Sequence, residues 1–235
     1  MRNMFWKAAA SAAVVMLTIA APAQAQHTGT RLGKNVEKAD IPKAMQIMAD
    51  CTIKRREPLV RSWFNTLPGS VEEDRIFDKE LGDLGLCLDD RLLVVDGKTL
   101  EVTASMVRGP LALAFARREL RPNPAAPAAS KDVPWFTPKL AVLAENAPVD
   151  RVMLGLYDFG HCVAVTDWPN ARNLVLSGEG SAEQKQAVSA LMPALAPCLQ
   201  SDIELKLTPA NLRRALAEPM VHMLASAGGS TTAAR

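Results

Sequence analysis

The sequence predicts a mainly α-helical protein built from two tandem modules, each with about four helices, a short β-strand and one internal disulfide. Three observations predict it. Cys51 and Cys87 are 36 residues apart, and so are Cys162 and Cys198. A shift of 111 residues lays the first pair on the second and brings nine identities into 38 ungapped positions. Apolar residues recur every three to four positions in both copies, the period of one buried helix face. A fixed-period repeat outranks other signals of fold.

The first 25 residues read as a secretory signal: Arg2 and Lys7, an apolar run from Ala8 to Ala20, then Ala23-Gln24-Ala25. Residues 26–40 are a polar arm. From Gln26 onward 25 bases face 25 acids. That balance gives no support for nucleic-acid or anionic-lipid binding. No later apolar stretch reaches the ~20 residues that span a bilayer, so no transmembrane segment is expected after signal cleavage. The expected location is the periplasm or the exterior of a Gram-negative cell. In that oxidising setting four cysteines are expected to be bridged. The repeat selects Cys51–Cys87 and Cys162–Cys198 among three connectivities, because a copied module carries its own bridge.

Module 1 covers residues 41–120. Ile41, Met45, Met48 and Cys51 mark one face of a first helix, with Asp40 at its cap and Pro42 in its first turn. A short second helix runs from Pro58 to Asn65. Gly69 then suits a turn with positive φ. Ser70-Val-Glu-Glu73 is a capping box that opens the third helix, with Ile76, Phe77, Leu81, Leu84 and Leu88 on its apolar side. Leu92–Val95 before Asp96-Gly97 suggests a hairpin arm, and Leu100–Thr103 a short strand. Thr103 caps a fourth helix carrying Val107, Leu111 and Phe115.

Residues 121–151 form a Pro/Ala-rich linker, after which Trp135 and Phe136 are expected to dock on the folded part. Module 2 covers residues 152–224. Asp167-Trp168-Pro169 opens its short helix, Gly180 its turn, and Ser181-Ala-Glu-Gln184 its capping box. Val188, Leu191, Leu195 and Leu199 give the apolar side of the next helix. Beyond it the shift between copies becomes 105. Leu205–Thr208 matches the strand, and Thr208-Pro209 opens a helix carrying Leu212, Leu216 and Met220. Residues 225–235 form a small, polar tail expected to fray.

No Gly-rich phosphate loop, His-Glu-x-x-His, Cys-x-x-Cys or Gly-x-Ser-x-Gly is present. No catalytic residue, metal ligand or cofactor is therefore assigned. His161-Cys162 is read as a bridged cysteine beside a partly exposed histidine, since helical neighbours point about 100° apart. Asp83, Asp89 and Asp90 read as a solvated acidic group. The arginines repeated in both copies are the candidate binding residues: Arg61 with Arg172, and Arg108 with Arg213. Each suits a carboxylate, a helix C-terminus or an anionic partner.

The second copy reads Cys162, Pro169, Arg172, Gly180-Ser181-Ala-Glu183, Leu195-Ala-Pro-Cys198-Leu199 and Leu212-Arg213-Arg-Ala-Leu216-Ala217. This pattern resembles a group of uncharacterised exported alphaproteobacterial proteins. Copy one departs in its last element, Val107-Arg108-Gly-Pro-Leu111-Ala112. The resemblance implies fold and compartment but no activity. The functional expectation is a non-catalytic module that binds an envelope protein or serves a structural role. The alternative is an envelope enzyme or small-ligand binder with an arginine site between the modules. Arginines facing a shared cleft favour the alternative; arginines paired internally favour the first.

Overall fold

The computed structural model describes residues 41–81, 87, 103–128, 136, 147–199 and 207–229. Seven α-helices make up most of this set: α1 (Ile41–Phe64), α2 (Val71–Ile76), α3 (Ala104–Leu120), α4 (Arg151–Thr166), α5 (Trp168–Leu176), α6 (Ala182–Leu195) and α7 (Pro209–Gly229). A π-helical turn, Phe77–Leu81, prolongs α2, and a 3-10 turn, Ala196–Cys198, prolongs α6. The expected signal, arm and hairpin, together with Trp135 and the acidic group, lie outside the described residues.

The expected first and second helices are continuous in α1, yet Arg56 inside it has non-helical angles (φ −135°, ψ 33°). The break falls two residues before Pro58, whose ring disfavours a helical carbonyl behind it. In the second half Asp167 stands at the position matching Arg56. There the chain leaves α4 and enters α5 outright (φ −145°, ψ 73°). Asp167 also caps, accepting the Asn170 amide at 3.2 Å. A capping side chain thus marks a full break, and an arginine at the matching place leaves only a kink.

Both capping boxes form, with one correction. Ser70 Oγ accepts the Glu73 amide and Ser181 Oγ the Gln184 amide, at 3.2 and 3.1 Å. The return bond reaches one residue earlier than the box predicts. Glu73 Oε2 accepts from Gly69 N, and Gln184 Oε1 from Gly180 N at 2.8 Å. The cap amides are already turned onto Leu67 O and Gly178 O. Positive φ at Gly69 (73°) and Gly180 (71°) accompanies this arrangement in both turns. Thr208 caps α7 by accepting the Asn211 amide at 3.2 Å, whereas Thr103 makes no such bond to α3 and meets Ser105 Oγ instead.

The periodic residues are buried as expected. Val107, Leu111 and Phe115 of α3, and Leu212, Leu216 and Met220 of α7, lie in the core with Met45, Met48, Ile76, Phe77, Leu191 and Leu195. Leu199, expected in the same row, is exposed because the 3-10 turn ends the α6 face before it. Val60, Trp63 and Phe64 of α1 join the same cluster as Ala171, Leu174 and Val175 of α5. The two stretches thus share one continuous core rather than holding one each. α3 packs on α1 and on α7, and α7 packs on α4. A smaller cluster gathers Leu67, Phe136, Leu154 and Tyr157, so Phe136 docks as expected.

Two disulfides join Cys51 to Cys87 and Cys162 to Cys198, with Cα atoms 5.5 and 5.7 Å apart. No strand forms among the described residues, which include Thr103, Leu207 and Thr208; the rest of the two expected strands lies outside them. The expected frayed tail is helical to Gly229, because Ala is the strongest helix former and Ser226 Oγ donates to His222 O. No described helix is long and apolar enough to cross a membrane.

Candidate functional site

The four repeated arginines take four different environments. Arg61 sits half-exposed on α1, bonded to Glu57 at 2.9 Å and Glu119 at 3.1 Å, with its guanidinium 4.3 Å from the Phe115 ring centroid. Arg118 closes the same surface network on Glu57 and Glu119. Arg172 of α5 donates Nε to Leu120 O at 2.9 Å, the last residue of α3. Arg117 of α3 returns the favour, donating to Val175 O and Ser177 O at the end of α5, at 3.1 and 2.7 Å. These are reciprocal cationic caps on C-terminal carbonyls, where a positive charge also suits the helix dipole.

Arg108 is the centre of a buried cluster. It stands in the second turn of α3 with 1% of its surface exposed. Its Nε donates to both carboxylate oxygens of Glu218 on α7 (3.1 and 3.0 Å), and Nη2 to Oε1 at 2.6 Å. Nη1 donates to Glu73 Oε1 at 2.6 Å and to Thr66 Oγ1, and Nη2 also to Thr66 O at 2.8 Å. The guanidinium lies 5.4 Å from the Trp63 ring centroid. His222, one turn along α7, places Nε2 3.6 Å from Glu218 Oε1. Phe136 stacks on Tyr157 at 5.2 Å and meets His222 edge-on at 5.8 Å. Bidentate charge-assisted bonding of this kind supports a buried ion pair.

The electrostatics follow the geometry. Burial would raise the Glu218 carboxyl, but the Arg108 charge and the bonds from His222 and Arg108 outweigh it and hold it at about 2. Burial would lower Arg108, and the Glu218 charge reverses that, so its pKa is raised. Tyr157 is pushed well up, first by burial and then by the Glu218 charge. Arginine and Glu218 are thereby fixed as ions and the phenol as a neutral group. The cluster locks three helices and the Thr66–Glu73 turn together. It holds no arginine or phenol that exchanges a proton near neutral pH.

Arg213, the counterpart of Arg108, has no such company. It is 4% exposed, and its Nε is buried with no hydrogen-bond partner. Burial, and then the Arg117 charge, lower its pKa to about 10, while Glu179 acts against them. Gln184, the counterpart of Glu73, is also 4% exposed and leaves Nε2 without a partner. His161 is buried rather than partly exposed, because α7 covers the α4 face that carries it. Beside it, Asp158 is raised to about 6 by burial, with His161 opposing.

A cleft of about 370 Å³ opens between α5 and α6, lined by Asn170, Asn173, Ser177, Glu183 and Gln186 among others. None of Arg61, Arg108, Arg172 and Arg213 lines it. Sequence reasoning assigned Glu73 to capping alone and did not single out Glu218 or Tyr157. One signal was available: Glu218 is the only acid between Pro209 and Gly229, set among apolar and small residues. A lone acid in a helix buried on most sides calls for a cation. Comparisons with protein families, with curated proteins and with solved structures found no match.

Proposed function

We propose that this chain is an exported, disulfide-stapled product of an internal duplication that acts without catalysis, as a binding or structural module for an envelope protein. The observation that carries the reading is the use of its repeated arginines. Arg61, Arg108 and Arg172 donate to groups of the chain itself, which is how a scaffold uses them. The matched turns, caps and disulfides of the two halves support the duplication. So does the approach of α3 to α7, where Gly109 faces Arg214, two positions that map onto each other at the 105 shift. Export is supported by the signal pattern and by disulfides, which persist in oxidising compartments.

The N-termini of α2 and α4 offer the contact surface. The Asp150 amide donates to Pro68 O at 2.7 Å and holds them side by side. Val71 and Val152 there are 68% and 69% exposed. Photo-crosslinkers placed at these positions, in cells exporting the tagged protein, are expected to capture one recurrent envelope protein that a crosslinker at exposed Lys185 does not. Capture of nothing, together with a small molecule co-purifying with the protein, overturns the partner reading. Retention in the cytoplasm of a reporter fused to the C-terminus overturns export. The second reading, a small-ligand binder with an arginine site, is favoured by one observation, the buried Nε of Arg213 with no acceptor.

A further inference from the structure

The cleft between α5 and α6 can be compared with the first half position by position. Its walls follow helical spacing: Asn170, Asn173 and Ser177 on α5 and its C-cap, and Glu183, Gln186 and Ala190 on α6. The shift of 111 lays Glu72 on Glu183, Arg75 on Gln186, Ile76 on Ala187 and Lys79 on Ala190. In the first half Glu72 accepts two bonds from Arg75, at 2.8 Å from Nε and 2.6 Å from Nη2. The Arg75 bonds, and then the charges of Arg75 and Lys79, hold that carboxyl low. In the second half the acid is kept and both cations are replaced, one by an amide and one by alanine. Glu183 is held low first by its own backbone amide and then by the Ser181 hydroxyl, rather than by a cation. The positions of the missing cations face the cleft, for Gln186, Ala187 and Ala190 all line it.

The other polar walls favour the same charge. Ser177 Oγ donates its proton to Leu174 O at 2.7 Å, and Asn170 Nδ2 donates to Asp167 Oδ2 at 2.8 Å. What these two side chains offer a ligand is chiefly oxygen acceptors. No lysine or arginine lines the cleft. The C-terminal end of α5 and the N-terminal end of α6 meet there with opposed dipoles, so the Glu183 carboxylate sets the sign of the field.

We propose that this cleft binds a primary alkylammonium group, whose charge meets Glu183 and whose carbon chain lies on Leu176, Ala187 and Ala190. The ligand supplies from outside the cation that Arg75 supplies to Glu72 from within. Acceptors come from both helices rather than from one carboxylate edge, which suits the three donors of an ammonium over the flat fork of a guanidinium. The cleft's volume of about 370 Å³ is at the small end of the roughly 300–1,000 Å³ usual for small-molecule sites, which suits a single chain of a few carbons. A free amine and a lysine side chain of another protein present the same group. The proposal goes beyond both readings above and is independent of them, since Val71, Val152 and Arg213 do not line the cleft.

The test uses the full oxidised, isotope-labelled protein at pH 7 and constant ionic strength, with n-pentylammonium chloride exchanged stepwise for sodium chloride. The side-chain amide resonances of Asn173 and Gln186 are expected to shift saturably while the Nε–H resonance of Arg108 stays fixed. Neither n-pentanol, which has the chain without the charge, nor tetramethylammonium, which has the charge without N–H donors, is expected to move them. Glu183→Gln is expected to weaken binding at least about threefold, as for the loss of one exposed ion pair. Gln186→Arg restores the first half's cation at an exposed position and is expected to weaken binding at least about tenfold, by taking Glu183 and filling the cleft. Lysine blocked at its α-amine and carboxyl identifies the source: binding tighter than pentylammonium assigns a protein lysine, weaker binding a free amine, and either supports the site. Amide resonances that no amine moves overturn the proposal. So does a response to n-pentanol or tetramethylammonium equal to that for pentylammonium, or a pentylammonium response unchanged in both variants.

Discussion

Replacing Glu218 by leucine gives the first site the residue that the second site has at the matching position, Leu113. The variant removes the bidentate partner of Arg108 and leaves the guanidinium with Glu73 and the Thr66 carbonyl. Two routes give the size of the effect. Removing one member of a buried ion pair costs about 3–5 kcal/mol. A carboxyl held at about 2 in the fold, against an ordinary 4.5, corresponds to roughly 3 kcal/mol at about 1.4 kcal/mol per tenfold. The pH dependence has a definite sign. The folded-state pKa is depressed, so this stabilisation is fully present above about 4.5 and is lost as the pH falls toward 2. Denaturant titration of the oxidised parent and variant at a series of pH values reads it directly. The gap is expected to be about 3 kcal/mol at pH 7 and to narrow steadily below pH 4.5. The double variant Arg108→Met with Glu218→Leu is expected to recover much of the loss, because an apolar pair replaces an isolated buried charge. A gap under about 1 kcal/mol at pH 7, or one that does not change with acid, refutes the account of this cluster.

Three further outcomes are expected. Changing Cys162 and Cys198 together to alanine, which opens a loop with a sequence separation of 36, should lower unfolding free energy by about 4 kcal/mol in the chain-entropy estimate, read by denaturant melts. Gly69→Ala should cost more than Gly180→Ala: both have positive φ, but a Cβ at Gly69 would meet the Asp150 amide nitrogen at 2.6 Å whereas Gly180 has nothing within 4 Å. The Gly180 change should cost about 1 kcal/mol, and equal losses in thermal melts would contradict the docking of α4 on that turn. Asp158→Asn should stabilise the protein above pH 6 by on the order of 1 kcal/mol after allowance for solvent screening, since burial raises this acid to about 6 and penalises its ionised form. That gain should vanish below about pH 4, and a gain independent of pH would argue against an ionised Asp158.

Short-range signals carried far in this chain. Ser70, Ser181, Asp167 and Thr208 each accept an amide within three residues, so their helix starts were legible from neighbours alone. The break near Pro58 and the row Val107, Leu111, Phe115 were legible for the same reason. The equal cysteine spacing pointed to the two disulfides that form. Other features depend on how helices distant in sequence cross. Arg108 and Glu218 lie 110 residues apart, and no local pattern states that their side chains meet. The same holds for the shared core and for Arg117 of α3 donating to Ser177 O beyond α5.

From its sequence alone this protein had its helices, its caps and its sulfur links. The helices and caps are set by torsional preference and by bonds between near neighbours, and the sulfur links were legible in two equal cysteine spacings. Tertiary structure alone decided which charges are satisfied. Arg108 is an ion-pair centre and the Nε of Arg213 lacks an acceptor, because burial removes water as a partner and leaves each group to whatever the opposing elements present.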